Sequence, residues 1–267
     1  MLLNIGKFLD NLQIPPKCVP LHCVFHSIRF KVNKGWSTAV LLFFCPFFKY
    51  TYFCTMKKYL FNRNIEEICN TLTHLLGVVL TLSLAWVIIR LGYRAGWEHA
   101  FGVTFFTSGM LLMFASSTLY HWWLPGKGKH YLRIFDHIGI YVMIAASYTP
   151  ICVGVVGGAL GWIVFGLLWL VAIGGAFYKI TAINKYPRLS LLIYLAMGWS
   201  VVFIAEPVFH KLSVSALWCI LAEGIFYTSG TYFFTHDYKP FYHAVWHVFV
   251  LLGAMCHWTA IVVILSV

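Results

Sequence analysis

The segment FYHAVWHVF, residues 241–249, carries His243 and His247 four residues apart at the threshold of a long apolar run. On a helix that spacing projects both imidazoles from one face, about 6 Å apart in rise. Ser117 and His121, in SSTLYH, repeat the spacing at the close of an earlier apolar run. Asp136, in RIFDHIGI, is read as opening a third run, and Glu66, Glu67, Asn70, Thr73 and His74 open the first. Three neutral imidazoles near a carboxylate match the needs of a catalytic-type zinc centre. Such a centre takes three nitrogens at about 2.0–2.1 Å, keeps a fourth position for water, and has an acid to hold what binds there. His121, His243 and His247 are therefore the candidate ligands for Zn2+, and Asp136 and Ser117 the candidate catalytic residues.

Each candidate also has a plainer reading. Two interfacial histidines can turn toward lipid headgroups. Asp136 can serve as a negative charge favoured at a helix N-terminus, or pair with Lys127, Lys129 or Arg133. Ser117 can bond the carbonyl four residues back. His257 is a control: ten residues beyond His247, it lies about 15 Å further along the helix and cannot share the same ion, so it is read as an interior hydrogen-bonding histidine. Glu223 stands alone in a sixth apolar run, as either a proton carrier or a hydrogen-bonded acid, while Glu206 reads as a solvated boundary residue.

The elements that must position these groups are membrane spans. Of the 267 residues, 61% are hydrophobic and only 10% charged, where soluble domains carry about 25% charged residues. Seven apolar stretches of about 20 residues, enough to cross roughly 30 Å of hydrocarbon, fall near 68–89, 100–122, 137–156, 159–178, 189–206, 214–234 and 245–266. The expected fold is an all-α, seven-transmembrane helix bundle. The net charge of +11 does not point to nucleic acid, because Lys and Arg divide by side of the membrane. Sixteen lie before the first span or after spans 2, 4 and 6, and only Arg90, Arg94 and Lys211 lie opposite. That excess places the N-terminus in the cytoplasm and the C-terminus outside. Spans 1, 3 and 7 then start, and span 2 ends, on the cytoplasmic side, which brings every candidate group to one depth.

Residues 1–55 lack periodicity, and their single apolar run is interrupted by Pro46. They are expected to be a non-native or disordered extension preceding a domain over 56–267 that opens at Met56. Cys69, Cys152, Cys219 and Cys256 lie in or beside spans with no C-x-x-C pair, and read as small apolar residues.

The motifs EEICNTLTH, SSTLYH, FDHIGIYVMIAASYTP and HAVWHVFVLLGAMCH resemble, in order, the signatures of the hemolysin III family, the bacterial branch of the PAQR (progestin and adipoQ receptor) superfamily, over about residues 62–266. The resemblance implies a seven-helix protein of the bacterial inner membrane, with zinc near the inner leaflet on His121, His243 and His247. Asp136 would hold the zinc-bound water, and Ser117 would join the same cluster. The first-span residues Glu67, Asn70 and His74 match a motif of less certain role. Residues 1–55 have no family counterpart, and Glu223 stands where a small residue is expected.

Three functions follow as expectations. The first is a zinc-dependent intramembrane hydrolase acting on an amide or ester of a membrane lipid, with ceramidase-like chemistry suggested by related receptors. The second is a zinc-braced sensor or regulator of membrane lipid state. The third is cytolysis, which the family name implies, although no span carries the sustained polar stripe of a wide pore. Membrane lipids are the expected partners, nucleic acid is not, and oligomeric state is not legible.

Overall fold

Helix is the structure that lets an apolar chain satisfy its backbone polar groups within lipid. The structure, a computed structural model, describes residues 65–266 except Asn184. The reading of residues 1–55, and of Met56 as the start, lies outside the described residues. Helix α1, Ile65–Ala95, begins with Glu66 and Glu67 at its positive end. Its 31 residues extend about 46 Å, well beyond a hydrocarbon core. Gly96, at φ 124°, turns the chain directly into α2, Trp97–Trp122, a conformation costly for any side chain with a Cβ. Helix α3, Lys127–Thr149, then widens into a π-helical segment, Pro150–Val156. The widening follows from Pro150, which has no N–H to continue the α pattern and whose ring crowds the preceding turn.

Helix α4 spans Gly158–Ala182. The fifth span is broken into α5, Pro187–Gly198, a tight 3-10 segment, Trp199–Ile204, and α6, Ala205–Lys211. The break is held from outside. The Tyr148 hydroxyl on α3 donates to the Gly198 carbonyl and accepts from the Val201 amide at 2.9 Å, serving backbone groups at the start of the tight segment. Helix α7, Val214–Thr235, is capped by Ser213, whose hydroxyl accepts from the Ala216 amide. Helix α8, Tyr242–Leu265, completes the bundle.

Six of these runs are long and apolar enough to cross a membrane: 65–95, 97–122, 127–156, 158–182, 188–211 and 242–265. The expected sixth span, α7, has 22 residues but is diluted by Glu223 and a run of hydroxyl residues, and is not among the six. The molecule is an all-α membrane protein. Its outer face presents Leu82, Trp86, Leu170, Ile173, Phe177 and Phe203, while Asn70, His74, Ser117, His121, Lys179, His247 and His257 are buried. Apolar outside with polar inside is the arrangement that lipid favours.

Packing sets the site. Helix α8 lies against both α7 and α1, and α1 against α2, which packs on α3. Gly77 on α1 lets the Phe114 ring of α2 close onto the helix backbone, and Gly109 on α2 does the same for Ala146 of α3. The broken fifth span packs on α3 and meets α7 only loosely across a gap, where Trp199 Nε1 donates to Thr228 Oγ1 at 3.2 Å. A cavity of about 1200 Å³ occupies that space.

One expectation is corrected here. Asp136 does not open the third span. Helix α3 begins at Lys127, so Asp136 lies about two and a half turns inside it. The apolar pattern begins only where side chains enter lipid, whereas backbone hydrogen bonding carries the helix further into the polar interface.

Candidate metal centre

Two helices, α2 and α8, deliver the candidate ligands to one point. His121 occupies the last turn of α2, and His243 and His247 the first two turns of α8. One ring nitrogen from each lies within 4.8 Å of the other two. The ring centroids are 5.0 Å apart for His121 and His243, 4.9 Å for His121 and His247, and 4.6 Å for His243 and His247. Nitrogens around a tetrahedral zinc sit about 3.3 Å apart at its usual bond lengths, so small ring rotations would close the set.

The neighbours decide which nitrogens face that point. His121 Nδ1 donates to the Glu67 carboxylate at 2.7 Å, an acceptor that compels the proton onto Nδ1. Nε2 of the neutral ring therefore carries the lone pair. Glu67 in turn accepts from Lys129 Nζ at 2.6 Å, linking α1, α2 and α3. His247 Nδ1 donates to the Asn70 carbonyl at 3.1 Å, with Thr73 Oγ1 at 3.2 Å, which again leaves Nε2 as the lone-pair nitrogen. Outer acceptors that set tautomer and ring orientation are the usual companions of metal-binding histidines. The donor set fits a borderline ion such as zinc: imidazole nitrogens, no thiolate, and a carboxylate in the same cavity.

Asp136 and Ser117 line that cavity together with the three histidines. Asp136 lies beside Ser117 and within electrostatic reach of His121. The buried Ser117 hydroxyl is a close neighbour of that carboxylate without forming a well-aligned hydrogen bond. Of the plainer readings, the Ser117 hydroxyl does not bond back to its own helix and Lys129 pairs with Glu67, while Arg133 stays within electrostatic reach of Asp136.

Two residues have more to do than sequence reasoning assigned them. Glu67 was visible in the first-span motif, but its contact with His121 depends on how α1 and α2 are rotated against each other. The available signal was periodic: positions 67, 70 and 74 share one helix face. His74, from the same face, is no ligand in this arrangement. It stacks on His247 at 3.6 Å between ring centroids and 15° between planes, and meets Phe114 edge-on. Further along α8, His257 Nδ1 lies 2.7 Å from Glu223 Oε2, so both residues find their partner in each other.

Comparison with known sequences now bears on these residues. The sequence profile described as "Haemolysin-III related" matches residues 62–258. The chain belongs to the haemolysin III family. Within the family it is 39% identical to a Hemolysin-3 homolog of Bacillus subtilis (strain 168) over 191 residues, 71% of this chain and 89% of the relative. It is 35% identical to Hemolysin-3 of Bacillus cereus over 190 residues, covering 71% and 87%. It is also 30% identical to the human Monocyte to macrophage differentiation factor over 208 residues, covering 73% and 83%. Membership in the haemolysin III family, together with six apolar runs, makes the chain a multi-pass protein of the bacterial plasma membrane. The matched region contains the helices that bear His121, His243, His247, Asp136 and Glu67.

Proposed function

We propose that the chain is a zinc-dependent hydrolase of a lipid amide or ester. One observation carries the reading: three imidazoles converge within 4.8 Å, at a cavity of about 1200 Å³ whose walls are largely apolar. His121, His243 and His247 would hold the ion, with Glu67 and the Asn70 carbonyl keeping His121 and His247 in the ligating tautomer. A bound zinc would polarise a carbonyl and lower the pKa of water toward about 7. Ile140, Ile144, Leu217 and Val250 line the cavity and supply an apolar bed for an acyl chain. Asp136 is the base: its carboxylate takes a proton from the attacking water as the new C–O bond forms, and returns it to the departing amine or alcohol.

Asp136→Ala in protein that still binds zinc tests this. Lipid hydrolysis should fall by about 10²–10⁴-fold, the usual share of a positioned base. Unchanged turnover removes Asp136 from the chemistry. A second reading, a zinc-braced regulator of lipid state, draws on the linkage of α1, α2, α3 and α8 through Glu67, Lys129 and the histidines. It predicts no hydrolysis by wild type, and a lipid phenotype that survives Asp136→Ala. The relatives' name raises a third, lytic reading, which requires purified protein to release dye from loaded vesicles.

A further inference from the structure

A second pocket, of about 180 Å³, lies at the same end of the bundle as the histidines, where α3 and α5 begin and α4 and α7 end. Arg133 and His137 reach it from α3, Lys179 from α4, Ser190 and Tyr194 from α5, and Phe234 from α7. Among the described residues, none that walls it is acidic. Lys179 is only 1% exposed, and among the described residues it has no carboxylate partner. The aromatic face nearest its ammonium is that of Tyr178, 5.8 Å from Nζ to the ring centroid. Arg133 is close enough for the two cations to repel each other. Asp136 reaches Arg133 from the larger cavity and leaves Lys179 uncompensated. Among the described residues, Ser190 Oγ and His137 Nδ1 are buried without a well-formed hydrogen bond, the Tyr141 hydroxyl being a neighbour of Ser190.

A buried ammonium without a counter-charge is costly, and so is each buried polar atom left unsatisfied. A single anion in the pocket would relieve all of them. We propose that this pocket binds a phosphate group, the chemistry shared by a phospholipid headgroup and free inorganic phosphate. Four polar side chains arrive from three helices, a spread that suits a tetrahedral oxyanion better than a planar carboxylate. Arg133 can bond two oxygens at once, and Lys179 acts as a point charge. The volume equals roughly six waters at their liquid volume, room enough for one such group. Basic pockets between transmembrane helices, at the end that carries the basic loops, meet anionic headgroups. The pocket shares Arg133, His137, Tyr194 and Phe234 with the large cavity, so chains attached to a bound phosphate have space beside it. None of this depends on a metal at the histidines.

The test uses the full chain purified in an uncharged detergent, with two pairs of probes. Inorganic phosphate is compared with chloride at matched ionic strength, by the rise in thermal midpoint. Dioleoyl phosphatidic acid is compared with dioleoylglycerol, by retention in native mass spectrometry. Wild type should prefer the phosphate-bearing member of at least one pair. Preference in the lipid pair alone identifies a headgroup, and preference in the inorganic pair alone identifies a free ligand. Lys179→Met should weaken that binding at least about tenfold, the loss of one charge-assisted bond. Lys179→Arg should retain it, and Ser190→Ala, which removes only a hydroxyl, should weaken it severalfold. Wild type indifferent within both pairs overturns the proposal. So does undiminished binding by folded Lys179→Met, or by Ser190→Ala should the lysine variant fail to fold.

Discussion

At the residue scale, Glu67 shows how a single carboxylate can organise a site it does not itself occupy. One oxygen fixes the proton on His121 and the other draws Lys129 from the next helix. Glu67→Gln keeps the size but loses the charge, and should weaken zinc binding about 10–100-fold, as is usual for outer partners of metal ligands. Competition against a calibrated chelator measures this, and equal affinity in the variant would mean that His121 is oriented by something else. Glu223 and His257 make a separate pair, 3% and 13% exposed at His257 and Glu223 respectively. Replacing one partner leaves the other buried and unsatisfied. Glu223→Leu should therefore cost about 1–3 kcal/mol, and His257→Phe added to it should recover part of the loss. Simple additivity of the two substitutions in thermal unfolding would show that the pair is not coupled.

At the scale of elements, the fifth span draws its shape from a neighbour. Its 3-10 segment lies where the Tyr148 hydroxyl meets Gly198 and Val201, so Tyr148→Phe should free two backbone groups at the cavity wall. The expected loss is about 1–3 kcal/mol, with faster amide exchange at Val201 as the local readout. Exchange at Val201 equal to wild type would dissociate the break from Tyr148. The contact of α1 with α2 is similarly specific. A side chain added at Gly77 would overlap Phe114, and Gly77→Leu should destabilise by about 1–3 kcal/mol through overpacking. The positions of the helices were legible in the sequence because lipid-facing stretches must be apolar. Their ends were less so. Asp136 was placed at the start of α3, because hydrophobicity reports immersion in lipid, whereas the hydrogen-bonded helix begins nine residues earlier.

At the scale of the whole molecule, the histidines close a path through α1, α2, α3 and α8. An ion held there should stabilise the bundle in proportion to the logarithm of its excess over Kd, by about 4 kcal/mol at a thousandfold excess. A strong chelator should lower the thermal midpoint, and restored zinc should raise it. The double variant His243→Ala/His247→Ala should respond to neither. A chelator-insensitive wild type would disconnect the cluster from any stabilising ion.

From the sequence alone came an all-α membrane chain, the family, and the three histidines with Asp136 and Ser117 at one end of the spans. Each of these depends on composition, on spacing along one helix, or on which end of a span a residue occupies. Tertiary structure alone decided the rest: Glu67 against His121, His74 stacked on His247, Glu223 opposite His257, and Lys179 enclosed with no acid beside it among the described residues. Those relations turn on how far each helix is rotated about its own axis and how closely it approaches the next. Side-chain size at the contacts sets both quantities, and periodicity within one helix carries no information about its neighbour.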